Sequence, residues 1–146
     1  MLPDELETII AEVMDLPMRF RRVIKEEDGQ MMMSPHHWAL KTLGVEGSMP
    51  MSTLAKRMDV TKQYVTAIVA QLVEEGLVER RPDLNDRRVV MVSLTPTGSE
   101  VLAERRQRVK EAFARRLSRL SVEDQERFLA VVRELRSIIS DLEDSK

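Results

Sequence analysis

The stretch from Thr61 to Thr95, TKQYVTAIVAQLVEEGLVERRPDLNDRRVVMVSLT, leaves few folds open. Val65, Ile68, Val69 and Leu72 recur at helical spacing behind Thr61, whose hydroxyl can cap free N–H groups, so a helix is expected over about 61–75. Lys62, Gln63, Thr66 and Ala70 are left facing outward near its start. Gly76 suits the left-handed position just past a helix C-terminus. Leu77 to Arg81 and Val89 to Leu94 then read as two strands around the polar turn PDLNDRR, which sets Arg87 and Arg88 beside Asp86. Upstream, Ser52 to Met58 reads as a short helix with Leu54, Ala55 and Met58 inward, and Asp59 takes the tight turn between the two helices. A helix pair, a two-strand ribbon and a basic tip in this order describe a winged helix-turn-helix. Its ordinary use is to seat the second helix in a DNA major groove and the ribbon tip against backbone or minor groove.

The flanks are helical. Leu6, Ile9, Ile10, Val13, Leu16, Phe20 and Ile24 give an amphipathic helix from Asp4 to about Ile24, with a kink expected at Pro17. Ser34-Pro35 opens a helix ending near Gly44, and Gly47 and Pro50 bound a loop. Thr95-Pro96 starts a helix to about Leu120. Ser121 caps a last one, striped by Phe128, Val131, Val132, Leu135, Ile138, Ile139 and Leu142. Terminal helices with such stripes need burial, and a second copy of the chain is the economical solution. The expected fold is therefore mainly α with a small β-wing, a single domain over 1–146. Residues 34–96 form the DNA-binding lobe, and 1–33 and 97–146 supply dimerisation helices.

Composition removes other classes. No cysteine is present, which excludes disulfides and thiol nucleophiles, and His36 and His37 stand side by side with no acid partner or nucleophile motif. An enzyme is not expected, nor a cofactor. Adjacent histidines on a helix diverge by about 100° and rarely share a metal, so no metal site is expected. No apolar run approaches the roughly 18 residues of a membrane span, and the acidic start MLPDELETII is unlike a secretory signal. A cytoplasmic protein without membrane contact is expected. The net charge of −2 is unevenly spread: residues 1–33 carry −4 and 121–146 carry −3, while 52–94 carry +1 and 99–119 carry +4. The basic middle permits nucleic-acid binding.

Asp86-Arg87-Arg88 followed by Val92-Ser93-Leu94-Thr95 resembles the D-x-R…V-x-L-T signature of the multiple-antibiotic-resistance regulator (MarR) family. Leu54-Ala55, Val65-Thr66 and Leu72…Gly76-Leu77-Val78…Arg80 also match that pattern, and the likeness covers nearly the whole chain. The resemblance implies a homodimeric transcription factor, usually a repressor, on a pseudo-palindromic operator. It further implies release by a small phenolic or lipophilic ligand held between the dimerisation helices and the DNA-binding lobe. Carried over, Arg88 is the wing arginine that enters the minor groove with Asp86 holding it, and Thr61, Lys62, Gln63 and Thr66 are recognition-helix contacts. Two positions depart from the pattern: Ala67 stands where many relatives have arginine, and Asp59 where glycine is commoner.

Each assignment has a plainer counterpart. Asp86 and Arg88 can be a solvated pair at a hairpin tip, and Lys62, Gln63 and Thr66 an ordinary wet face. Gln63 is the best base reader, since its amide can bond an adenine edge twice. Tyr64 either meets the DNA backbone or packs on the neighbouring helix. Arg80 and Arg81 divide between phosphate contact and pairing with Glu79 or Asp83. Phe20, Met33, His37 and Trp38 are candidates to line an effector pocket. The plain reading makes Trp38 core and puts the histidines at a helix start facing solvent or a dimer cleft. A winged helix used for protein contact, as an adaptor, is the rival to DNA binding.

Overall fold

Thr61 opens the second helix of the pair as its chemistry requires. Its backbone is extended and its hydroxyl oxygen accepts from the Tyr64 N–H at 3.2 Å. In a computed structural model of the chain, residues 3–24 and 34–145 are described. They form α1 (Pro3–Val23), α2 (Pro35–Glu46), β1 (Met49–Pro50), α3 (Met51–Met58), α4 (Lys62–Glu74), β2 (Val78–Pro82), β3 (Val90–Leu94), α5 (Pro96–Leu117) and α6 (Val122–Asp144). The strands make one antiparallel sheet in the order β1-β3-β2. The fold is a winged helix. The chain divides into two compact units, Met1–Val109 and Lys110–Lys146.

In the first unit the core is built where α2, α3, α4 and the sheet meet. Leu40, Leu54, Val65, Val69, Leu72, Val78 and Val92 are fully buried, each worth about 1.5–3 kcal/mol of transfer free energy. Residues 65, 68, 69 and 72 are buried on α4 while 62, 63, 66 and 70 are exposed, the division expected from their spacing. Asp59 holds the tight turn between α3 and α4 in the left-handed region, φ 53°, a conformation aspartate tolerates better than most side chains.

Gly76 ends α4 at φ +73°. Its N–H donates to Val73 O at 3.0 Å, and Leu77 N–H reaches Leu72 O at 2.9 Å, the paired bonds of a Schellman cap. Thr95 then returns to the same point. Its N–H donates to Leu77 O at 3.1 Å, its hydroxyl donates to Gly76 O at 2.6 Å, and the hydroxyl oxygen accepts from Gly98 N–H at 3.0 Å. The wing thus leaves and re-enters the helical layer at one clamped position.

Two expectations are corrected. The segment between Gly47 and Pro50 is not all loop: Met49 pairs with Val92 and Pro50 with Met91, giving the sheet a third strand. It is too short for a periodicity signal, and proline is tolerated because the strand lies at an edge. The second helix does not stop near Gly44 but continues to Glu46; Gly44 is a packing position, where an added Cβ would stand 2.5 Å from Leu102 Cδ2. The helix expected from Asp4 to about Ile24 is present as α1, with Pro17 inside it.

The second unit is simpler. Ser121 Oγ accepts from Asp124 N–H at 3.1 Å to start α6, and the Phe113 and Phe128 rings meet at 5.8 Å. Leu129, Val131, Ile138, Ile139 and Leu142 of α6 are exposed, as are Leu6, Ile9, Ile10 and Val13 of α1 in the first unit. Among the described residues no helix is long and apolar enough to cross a membrane.

A Cβ at Gly98 would lie 2.0 Å from the Leu77 carbonyl oxygen, a backbone atom that cannot turn aside. Gly98→Ala is therefore expected to cost about 1–3 kcal/mol or more, as overpacking does. Urea denaturation checks this, and an unchanged midpoint would contradict the clamp.

Candidate nucleic-acid interface

Lys62 and Thr66 are one turn apart on the exposed side of α4, at its positively polarised end. On the wing, Arg80 pairs opposite Val92 and Arg81 opposite Met91, so strand alternation sends the two arginines to opposite faces. Arg81 is taken up by Glu79, Nη2 to Oε2 at 3.1 Å. Arg80 instead lines a groove of about 220 Å³ with Lys62, Thr66, Arg88 and Ser52, over Pro50 and Val90. Three cations from the helix and both wing strands' neighbourhoods converge there, and among the described residues no carboxylate lines it. Sequence spacing leaves Arg80 and Arg81 undivided; the strand register separates them. Nothing in the sequence marks Ser52, since only the β1–α3 junction carries it to the groove.

The wing tip is organised by two aspartates. Asp83 Oδ2 accepts from Asp86 N–H at 3.2 Å, and the turn closes with Asp83 N–H to Val89 O at 2.9 Å. Asp86 Oδ1 accepts both the Arg88 N–H at 3.1 Å and its Nε–H at 3.2 Å. The Arg88 side chain is still 93% exposed. Such a pair adds little stability; it aims the guanidinium.

Of the residues singled out, Lys62, Thr66 and Arg88 come together in the groove, while Thr61, Gln63, Asp86 and Arg87 do not line it. Thr61 is occupied as the cap. Thr66 donates its hydroxyl to Lys62 O at 2.7 Å, which leaves its lone pairs and methyl for a partner. Gln63 and Arg87 are exposed, each next in sequence to a residue that lines the groove. Tyr64 is 48% exposed, so packing does not consume it.

The effector candidates are not brought to one place. Met33 lies outside the described residues. Trp38 is not core: it is 59% exposed, in a shallow cleft with Lys41, Val45 and Arg57. Phe20 is partly exposed on α1. His36 bonds Gln71 across α2 and α4. His37 does not face solvent but is 8% exposed, against a cavity lined by Lys41, Leu102, Arg105, Arg106 and Val109. Burial, then Arg105 and Lys41, hold its pKa below the ordinary 6.5. Among the described residues no group of three or more His, Asp or Glu is placed to hold a metal ion.

That lowered pKa has a sign. Below about pH 6.5 the unfolded chain protonates this histidine before the folded one does, so acidification favours unfolding until the folded pKa is passed. His37→Gln is expected to lose less stability than the parent between about pH 7 and pH 5 in urea titrations. Equal losses would contradict a histidine held neutral by its surroundings.

Comparisons with known proteins bear on the family and the fold. Residues 34–90 match the family model described as MarR family. The transcriptional repressor MdtR of Bacillus subtilis is 37% identical over 91 residues, which cover 60% of this chain and 56% of MdtR. The chain spans a little over half the length of the curated relatives it matches, 58% of the first. A solved MepR-like protein, complexed with pseudoligands, is 30% identical with a TM-score of 0.57, covering 91% of this chain and 94% of that one. A mutant of MarR from E. coli, complexed with operator DNA, shares the fold with a TM-score of 0.66 at 20% identity, over 92% and 98% of the two chains.

Proposed function

The chain belongs to the MarR family, and from that premise we propose that it is a sequence-specific DNA-binding transcriptional regulator. It acts as a homodimeric repressor that a small ligand releases from a pseudo-palindromic operator. The observation that carries this reading is the cationic groove in which Lys62 and Thr66 of α4 meet Arg80 and Arg88 of the wing.

The groove supplies position and affinity. Lys62, Arg80 and Arg88 neutralise phosphates and release counterions, so binding draws its strength largely from salt-sensitive contacts. Sequence is read by the exposed face of α4 in the major groove, with Gln63 bonding a base edge. Arg88 enters the minor groove, steered by Asp86, and Arg87 meets the adjoining backbone. Exposed apolar residues along α1 and α6 support a dimer, because patches of that kind mark interfaces. Two copies then set two α4 helices about one DNA turn apart. MdtR, named a repressor, supports the direction of control. Ligand release is a population shift: a compound that favours a dimer with misplaced helices lowers the DNA-competent fraction.

Duplex binding by gel shift, on genomic fragments selected with the protein, tests this. Arg88→Ala is expected to weaken binding about tenfold or more with the dimer intact, and affinity should fall steeply with salt, roughly a hundredfold from low to moderate concentration. Unchanged affinity in Arg88→Ala would remove the wing from the interface. Gln63→Ala should relax preference at one base pair; an equal loss on every sequence would contradict base reading.

A further inference from the structure

Leu84 is the most exposed large apolar residue among those described, at 99%, against 72% for Met14, the next. It lies in the wing turn, and that turn is not a loose loop. Asp83 Oδ2 accepts from Asp86 N–H, Asp83 N–H donates to Val89 O, and Val89 N–H donates to Asp86 O. Asp86 in turn accepts from the backbone and the side chain of Arg88. The bonds that aim the Arg88 guanidinium therefore close around Leu84 and fix its backbone. Asp83, Asn85 and Asp86 are turn formers, and the turn's own chemistry has no use for a leucine. Two kinds of surface could bury it. A protein interface is anchored by clustered apolar side chains, whereas the neighbours here are Asp83, Asn85, Asp86 and Arg87. A DNA minor groove, about 6 Å wide, is filled by one side chain between apolar deoxyribose walls, and Arg87 and Arg88 stand exposed to meet its phosphates.

We propose that Leu84 is a specificity residue, which lies on the minor-groove floor and rejects G·C base pairs under the wing. The inference rests on the DNA-binding reading and deepens it. In the minor groove A·T and T·A offer only acceptors, while G·C adds the guanine 2-amino donor. A leucine side chain pressed on that amino group displaces its water and returns no hydrogen bond, so a G·C pair there is penalised. Adenine presents a C–H at the same place, which needs no partner. Arg88 supplies the attraction to the groove and Leu84 the exclusion; discrimination between sequences draws on both.

Gel shifts with the full-length protein, on a duplex it selects from a random-sequence pool, test this. Each A·T pair of that duplex is replaced in turn by G·C and by inosine·C, which keeps the major-groove face of G·C but lacks the 2-amino group. Under the wing, G·C is expected to weaken binding about fivefold or more, while inosine·C stays within about twofold of A·T. Pairs read by α4 in the major groove should lose affinity with both replacements. Leu84→Ser should shrink the G·C penalty under the wing to about twofold, and the apolar Leu84→Met should keep it. Both variants are expected to unfold at the parent's urea midpoint, since the side chain is exposed. A full penalty surviving in Leu84→Ser would overturn the proposal. So would the absence of any A·T pair that resists G·C yet accepts inosine·C. Either result in a protein that shifts duplex DNA removes the leucine's role and leaves the regulator reading standing. A parent protein that shifts no duplex removes both.

Discussion

Everything on the presented surface hangs from the Gly76–Leu77 peptide. One residue in the left-handed region ends the recognition helix, and Leu77 N–H caps it by bonding Leu72 O. The two carbonyls exposed by that turn then receive Thr95, so the wing's exit is bonded to its entrance. Gly98 packs on the Leu77 carbonyl with no room for a methyl group. The helix that carries Lys62 and the ribbon that carries Arg80 and Arg88 are thereby held in one arrangement. A charged groove depends on such rigidity. Three like charges repel, and an unclamped wing would swing them apart.

Placement matters more than total charge. A chain with a net charge of −2 is a poor polyanion ligand on average. Its acidic residues are concentrated toward both ends, while the groove is lined by cations and, among the described residues, by no carboxylate. Asp86 is the informative exception. At the wing tip it commits one oxygen to the Arg88 backbone and side chain, giving up some positive potential for a fixed direction. Glu79 does the same for Arg81 on the opposite face, which separates a structural arginine from one available to a ligand.

The winged helix was legible because its signals are local. Thr61 caps, Val65 to Leu72 keep a helical period, and Gly76 breaks it; each depends on chemistry within a few residues. What escaped depends on partners distant in sequence. The β1 strand is two residues long and exists because Val92 lies beside it. Gly44 resembles a helix stop but is small because Leu102 approaches it. Trp38 and His37, neighbours on α2, exchange their expected environments. The helix phase turns the histidine toward Arg105 and the tryptophan outward, and without knowing what α2 packs against, hydrophobicity alone gives the wrong order. In the candidate interface, residue types were readable, yet the union of Lys62 with Arg80 and Arg88 required the strand register.

The central claim is that α4 and the wing form one binding face. Backbone amide NMR shifts, followed while duplex DNA is added at low salt, address it most directly. The account expects perturbations concentrated at Thr61–Thr66, at Arg80 and at Asp86–Arg88, saturating together and collapsing as salt is raised. Shifts confined to α1 and α6, or saturating at different DNA concentrations on helix and wing, would contradict it.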